Sequence, residues 1–324
     1  MPRSLVLDTR PVGFSRTRPT QSVQGKLKFR GGIELRSSDA DFGGLSALLV
    51  SSDGQRFTAV TDQSHWVSGG LSYSEGNLAG VAAGWIAPML DTGGRPMADT
   101  AGDAEGLASR SDNDISNDLF VSFEGEHRLW RYPFGREGAM ARPQALPLPR
   151  DVLSAPHNGG LEGITKIGDG LMIAVAERYR NREGNYRAWL LPFEPLDRSG
   201  AAGEARPSRG ISIRPLKPFS MTDLRLLPGG DLLTLERRYD PVRGVGILLR
   251  RISAATLRAT QQAPDVPLDG EIIVSLDSAY EIDNMEGLSV RLGERGETLV
   301  YIVSDDNFNR PVQRTLLQMF ELLP

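Results

Sequence analysis

Asn284-Met285-Glu286-Gly287-Leu288-Ser289 opens a phrase that this chain repeats: an acid, a glycine, an apolar residue, a Gly-containing turn, an apolar strand, then a second acid beside an aromatic. Its strand is Thr298-Leu299-Val300-Tyr301-Ile302-Val303 and its tail is Ser304-Asp305-Asp306-Asn307-Phe308. A second copy starts at Glu162-Gly163-Ile164, passes through Leu171-Met172-Ile173-Ala174-Val175-Ala176, and ends at Glu177-Arg178-Tyr179. A third runs from Glu105-Gly106-Leu107 through Leu119-Phe120-Val121-Ser122-Phe123 to Glu124. Two looser copies lead from Gly43-Gly44-Leu45 to Asp62 and from Thr222-Asp223-Leu224 to Glu236.

Aligned on the apolar residue, the copies fall at Leu45, Leu107, Ile164, Leu224 and Leu288, at intervals of 57 to 64 residues. A steady period of this size marks repeated supersecondary units. Each period holds turns and strands without a convincing amphipathic helix, so each reads as one four-stranded blade of an all-β propeller. Five blades are expected, or six if one lacks the phrase. The middle strands are apolar on both faces, which suits sheets packed between neighbouring sheets. Only one strand, Thr315 to Leu322, follows the last copy, whereas Lys26-Leu27-Lys28-Phe29-Arg30 to Ile33-Glu34-Leu35 precedes the first. An open ring would leave an unpaired sheet edge. The N-terminal strand is therefore expected to complete the blade that the C-terminal copy begins. Residues 1–25 read as an irregular segment, and 26–324 as a single propeller domain.

The 324 residues are 40% hydrophobic and 24% charged, with 36 Gly and 21 Pro to form turns. A net charge of −4 gives no footprint for nucleic acid, and the absence of cysteine excludes disulfides and thiolate metal sites. No run approaches the roughly 20 apolar residues that span a bilayer. The N-terminus lacks the apolar core of a signal peptide, so the chain is expected either to be cytoplasmic or to have lost a leader. Gly-x-Ser-x-Gly, His-Glu-x-x-His, a dinucleotide fingerprint and a P-loop are all absent. The three histidines, His65, His127 and His157, are too far apart for a local zinc motif.

The repeated acids remain. Glu105, Glu162 and Glu286 hold one position in three copies, and equivalent positions of successive blades lie at equivalent radii around the axis. Three converging carboxylates repel one another unless a cation holds them, and calcium takes six to eight oxygens. Alternatively, each Glu accepts backbone hydrogen bonds within its own blade turn. A second set sits at the strand ends: Asp62 with His65 and Trp66, Glu124, Glu177-Arg178-Tyr179, Glu236-Arg237-Arg238-Tyr239, and Asp305-Asp306-Asn307-Phe308. Arginines beside acids could bind a metal and an anion together, because guanidinium forks fit phosphate. They could equally be surface ion pairs. Asp112-Asn113-Asp114 resembles a fragment of a calcium loop but lacks the rest of one, and reads as a surface turn.

Several phrases also carry a family resemblance. Gly160-Leu161-Glu162-Gly163-Ile164, Asp223-Leu224-Arg225-Leu226-Leu227-Pro228-Gly229-Gly230, Leu235-Glu236-Arg237-Arg238-Tyr239, and Asn284-Met285-Glu286-Gly287-Leu288 with Ser304-Asp305-Asp306-Asn307-Phe308 resemble the phytase-like family, labelled "esterase-like activity of phytase". The resemblance runs from about Gly43 to the C-terminus. It implies a propeller, calcium-assisted phosphoester hydrolysis, and a bacterial periplasmic or secreted protein. The expected site is a mouth in which Glu105, Glu162, Glu286 and Asp305 hold calcium, with Glu286 and Asp305 serving the chemistry. Arg178, Arg237, Arg238 and His65 would bind a small anionic, phosphorylated substrate, in a monomer. A non-catalytic ligand- or partner-binding propeller and a lactonase-like propeller hydrolase are the alternatives.

Overall fold

In the computed structural model, which describes residues 1–97, 102–111, 114–168, 170–193 and 207–324, five antiparallel sheets form a ring of blades. The inner strands are Leu45–Val50 (β1), Ala104–Ser109 (β2), Leu161–Gly168 (β3), Ser220–Leu226 (β4) and Asn284–Leu292 (β5). Each packs against the inner strands of the two neighbouring blades. Each is followed outward by its second strand: Arg56–Thr61, Leu119–Phe123, Leu171–Arg180, Leu232–Asp240 and Thr298–Asp305. The longest helix described, Ala254–Gln262, lies outside the ring of sheets.

Apolar alternation on both strand faces is resolved by five core clusters, one at each blade interface. In the second strand of the third blade, Met172, Ala174 and Ala176 face the second blade, while Ile173 and Val175 face the fourth. Period-2 geometry sends successive side chains to opposite faces, so a strand between two sheets must be apolar throughout. The ring closes as the sequence implies. Leu27–Arg36 pairs with Thr315–Leu322, so one sheet joins both ends of the chain.

Two details depart from expectation. Residues 1–25 are not simply irregular: Arg3–Leu5 adds an outer strand to the first blade, and Asp8–Pro11 and Val23–Gln24 pair with Leu27–Arg36 in the fifth. The N-terminus thus ties the first and fifth blades together. The first copy is also registered three residues later than the sequence suggests. Every inner strand carries a β-bulge, and the extra residue is Ser46, Glu105, Glu162, Thr222 or Glu286. Ser46-Ala47-Leu48, not Gly43-Gly44-Leu45, is therefore the equivalent of Glu286-Gly287-Leu288. Gly43 and Gly44 serve the seam instead. Both have positive φ, and Asp306 Oδ1 accepts the Gly44 N–H at 3.0 Å. A Cβ at either glycine would collide with Phe308.

The bulge explains the phrase. Its extra residue stands at the ring mouth, and the following glycine lies where the next inner strand crosses. A Cβ on Gly106 would come within 2.4 Å of the Glu162 carbonyl, and one on Gly163 within 2.9 Å of Asp223 Cα. The apolar residue that follows fills a blade interface and turns its backbone to the axis.

Candidate active site

Second-strand pairing sets a second tier of mouth residues. Opposite the residue before each bulge stand Thr61, Phe123, Ala176, Glu236 and Ser304. The next residue along each strand is Asp62, Glu124, Glu177, Arg237 or Asp305. With the bulge residues, these make two rings of five around the axis. They open on a pocket of about 210 Å³ lined by Ser46, Asp62, Asp103, Glu105, Glu162, Glu177, Arg237, Glu286, Asp305 and Asn307. Seven of these ten are acids and one is basic.

Burial dominates the electrostatics of this pocket. Glu105 and Glu162 are raised well above the usual carboxylate range, first by loss of water and then by their acidic neighbours. Burial raises Asp62 to about 7 and Glu286 to about 8, the latter against the pull of Arg237. Asp305 rises to about 6 for the same reason, although it accepts the Asn307 N–H at 2.6 Å. Glu124 is raised by burial too, against hydrogen bonds from Glu162 and from the Gly159 and Gly160 amides at 2.7 and 2.5 Å. Burial would lower Arg237, but Glu286, Glu177, Glu162 and Asp305 together raise it.

Oxygen donors for a cation are in place. Asp103, Glu105 and Glu124 each offer one carboxylate oxygen, all within 4.8 Å of one another. Asp103 adopts φ 55°, a left-handed conformation that short polar side chains tolerate and that often occurs at functional sites. Asp62 Oδ1 is buried without a hydrogen-bond partner, an expensive state for a carboxylate that faces no cation. An all-oxygen, carboxylate-rich set suits a hard divalent ion such as calcium or magnesium. The residues fit a metal.

The expected site residues are partly assembled. Glu105, Glu162, Glu286 and Asp305 line one pocket with Arg237, whose Nη2 lies 3.0 Å from Glu286 and 3.6 Å from Glu177. Its Nη1 donates to Asn284 Oδ1, and its Nε is buried without an acceptor. Arg178 stays at the rim, largely exposed and paired to Glu177 at 2.7 Å. Arg238 is placed elsewhere, because its neighbour Arg237 faces the mouth and strand alternation turns Arg238 away. It donates to the Gly244 carbonyl and sits over the Phe219 ring. Glu236 turns the same way and forms a fully buried pair with Arg250 at 2.6 Å. His65 is buried beside Asp41, with Nε2 at 3.7 Å, and does not line the pocket. Asp112 and Asn113 lie outside the described residues, and Asp114 caps a local turn through Ser116 and Asn117.

Sequence reasoning did not single out Asp103, and it placed Asp62, Glu124 and Glu177 in a strand-end set that could bind a metal and an anion or simply form surface ion pairs, outside the four acids expected to hold calcium. The Asp103-Ala104-Glu105 spacing was the available signal, since alternate residues share a face.

No curated protein sequence matches this chain. Among solved structures it is similar to the β-propeller domain of Cps50 (Swd1) from Myceliophteria thermophila, at 12% identity over 87% of this chain and 69% of that one, TM-score 0.37. It is also similar to a glucose dehydrogenase, at 12% identity over 90% of this chain and 98% of that one, TM-score 0.43. The PQQ-bound aldose sugar dehydrogenase of Streptomyces coelicolor matches at 13% identity over 90% and 97%, TM-score 0.42. Likenesses this distant say nothing of the chemistry here. The family model is decisive by contrast. "Esterase-like activity of phytase" matches residues 40–308, most of the chain, and the protein belongs to the phytase-like family.

Proposed function

We propose that the protein is a metal-dependent ester hydrolase working at the acidic mouth of the ring. The observation that carries this reading is the convergence of seven carboxylates and a single arginine on one pocket at the axis. Asp103, Glu105 and Glu124 would hold the cation, with Asp62 facing it. A bound calcium or similar ion would supply Lewis acidity and a more acidic water. Glu286, raised to about 8 and 3.0 Å from Arg237, can hold a proton near neutrality and release it to a leaving oxygen. Asp305, raised only to about 6, is the better proton acceptor. Arg237 is placed to orient an anionic oxygen, and Arg178 at the rim could meet the outer part of a substrate.

A phosphoester is the first substrate class on this reading. One observation favours a neutral ester or lactone as the second: Arg237 is the only guanidinium lining the pocket among the described residues, and it is already paired. The two are separated by assaying para-nitrophenyl phosphate and para-nitrophenyl acetate with calcium and with chelator. Calcium-dependent turnover of either, lost in Glu105→Gln, supports the hydrolase. If neither ester turns over while calcium still binds, a binding propeller replaces it.

A further inference from the structure

The ring has two ends, and they are chemically opposite. Between them, on the axis, lies Arg225. Its Nη1 donates to the carbonyls of Ile164 and Leu224, both at 2.8 Å, and its Nη2 to those of Leu107 at 2.7 Å and Leu48 at 3.2 Å. These are the equivalent apolar residues of four blades, so the guanidinium plugs the channel. Beyond it lies a second cavity of about 470 Å³. Its walls come from the inner strands of all five blades: Leu49, Ala108, Thr165, Leu226 and Val290 each contribute, with Arg225 as the floor.

Nothing acidic lines this cavity among the described residues, whereas Lys166 and Arg291 stand in its wall. Arg291 is anchored through its Nε–H to the Tyr301 hydroxyl at 3.1 Å. Lys166 makes no ion pair among the described residues. At the floor, Arg225 is 3% exposed and its Nε–H has no acceptor. A buried, unpartnered donor in an apolar, cation-flanked cavity is a demand for an acceptor. The volume falls within the range of roughly 300–1,000 Å³ usual for small-molecule sites.

We propose that this end of the channel is a second ligand site, binding a small organic anion: an oxyanion head toward Arg225 and Lys166, with an apolar body against the leucine and valine walls. Because Arg225 and Asp223 close the axis, such a ligand does not reach the acidic mouth. The site is therefore independent of the hydrolase reading.

Calorimetric titration with phenyl phosphate, benzoate and uncharged benzyl alcohol tests it. Binding of at least one anion is expected, with benzyl alcohol weaker by about tenfold or more, the worth of a charge-assisted hydrogen bond. Comparing the two anions shows whether the head is a phosphate or a carboxylate. Lys166→Met, at a half-exposed position, should leave the melting temperature unchanged and weaken the anion to the level of the alcohol. Glu286→Gln, at the opposite end, should leave anion binding intact. The proposal is overturned if neither anion binds at millimolar concentration, if Lys166→Met binds as the wild type does, or if Glu286→Gln or added calcium abolishes binding.

Discussion

At Arg225 one side chain ties most of the ring together. Its guanidinium reaches four backbone carbonyls and Asp223 Oδ1 at 2.9 Å, while Asp223 Oδ2 accepts the Leu288 N–H of the fifth blade at 2.8 Å. Burial pushes Asp223 up to about 7 and lowers Arg225, each opposed by the other's charge. Removing one partner of such a pair strands a buried charge and orphans the carbonyls. Arg225→Met should therefore cost about 3–5 kcal/mol in chemical denaturation, and a loss under about 1 kcal/mol would discount the plug. Gly106→Ala should cost about 1–3 kcal/mol, since its Cβ would meet the Glu162 carbonyl at 2.4 Å. Gly229→Ala, which faces open space, should stay within about 0.5 kcal/mol. The importance of Arg225 was hidden in the sequence because the fourth copy looked degenerate. Asp223 replaces the repeated glycine there, and it does so to hold the arginine.

At the level of strands, the period and the turn-strand content were enough to read the blades, because both follow from local pattern. The bulge was not legible. It adds one residue to each inner strand without any composition cue, and it alone turns Glu105, Glu162 and Glu286 toward the axis. Likewise, Glu236 and Arg237 are indistinguishable as neighbours in sequence, yet alternation buries one against Arg250 and gives the other to the mouth. Ring closure was legible, because a strand was missing at one end and spare at the other. A chain lacking residues 1–36 should expose the Thr315–Leu322 edge, lose β-rich circular dichroism and aggregate in size-exclusion chromatography relative to the full-length chain. A folded chain with the full-length elution volume and melting temperature would contradict that.

The molecule as a whole is polarised, with an acidic mouth at one end and a cation-flanked cavity at the other. The acidic end makes stability depend on pH in a definite direction. Asp62, Glu286 and Asp305 carry folded values of about 7, 8 and 6, above the roughly 4 of the unfolded chain. Between pH 4 and 8 the folded state therefore holds more protons at these groups, and their contribution to metal-free stability falls as pH rises through that range. No helix among the described residues is long and apolar enough to cross a membrane. Calcium should raise the melting temperature more at pH 8 than at pH 5, where Asp62, Glu286 and Asp305 already hold protons. An equal rise at both would place the ion elsewhere.

On the proposed reading, the mouth holds a divalent cation. The most direct test is calorimetric titration of calcium into chelator-treated protein at pH 7.5, with Glu105→Gln and the exposed, distant Glu75→Gln in parallel. One site is expected in the wild type and in Glu75→Gln, with proton release because raised carboxyls must ionise to bind. In Glu105→Gln that site should weaken by about tenfold or more. No saturable binding to the wild type, or equal binding in Glu105→Gln, would contradict the account.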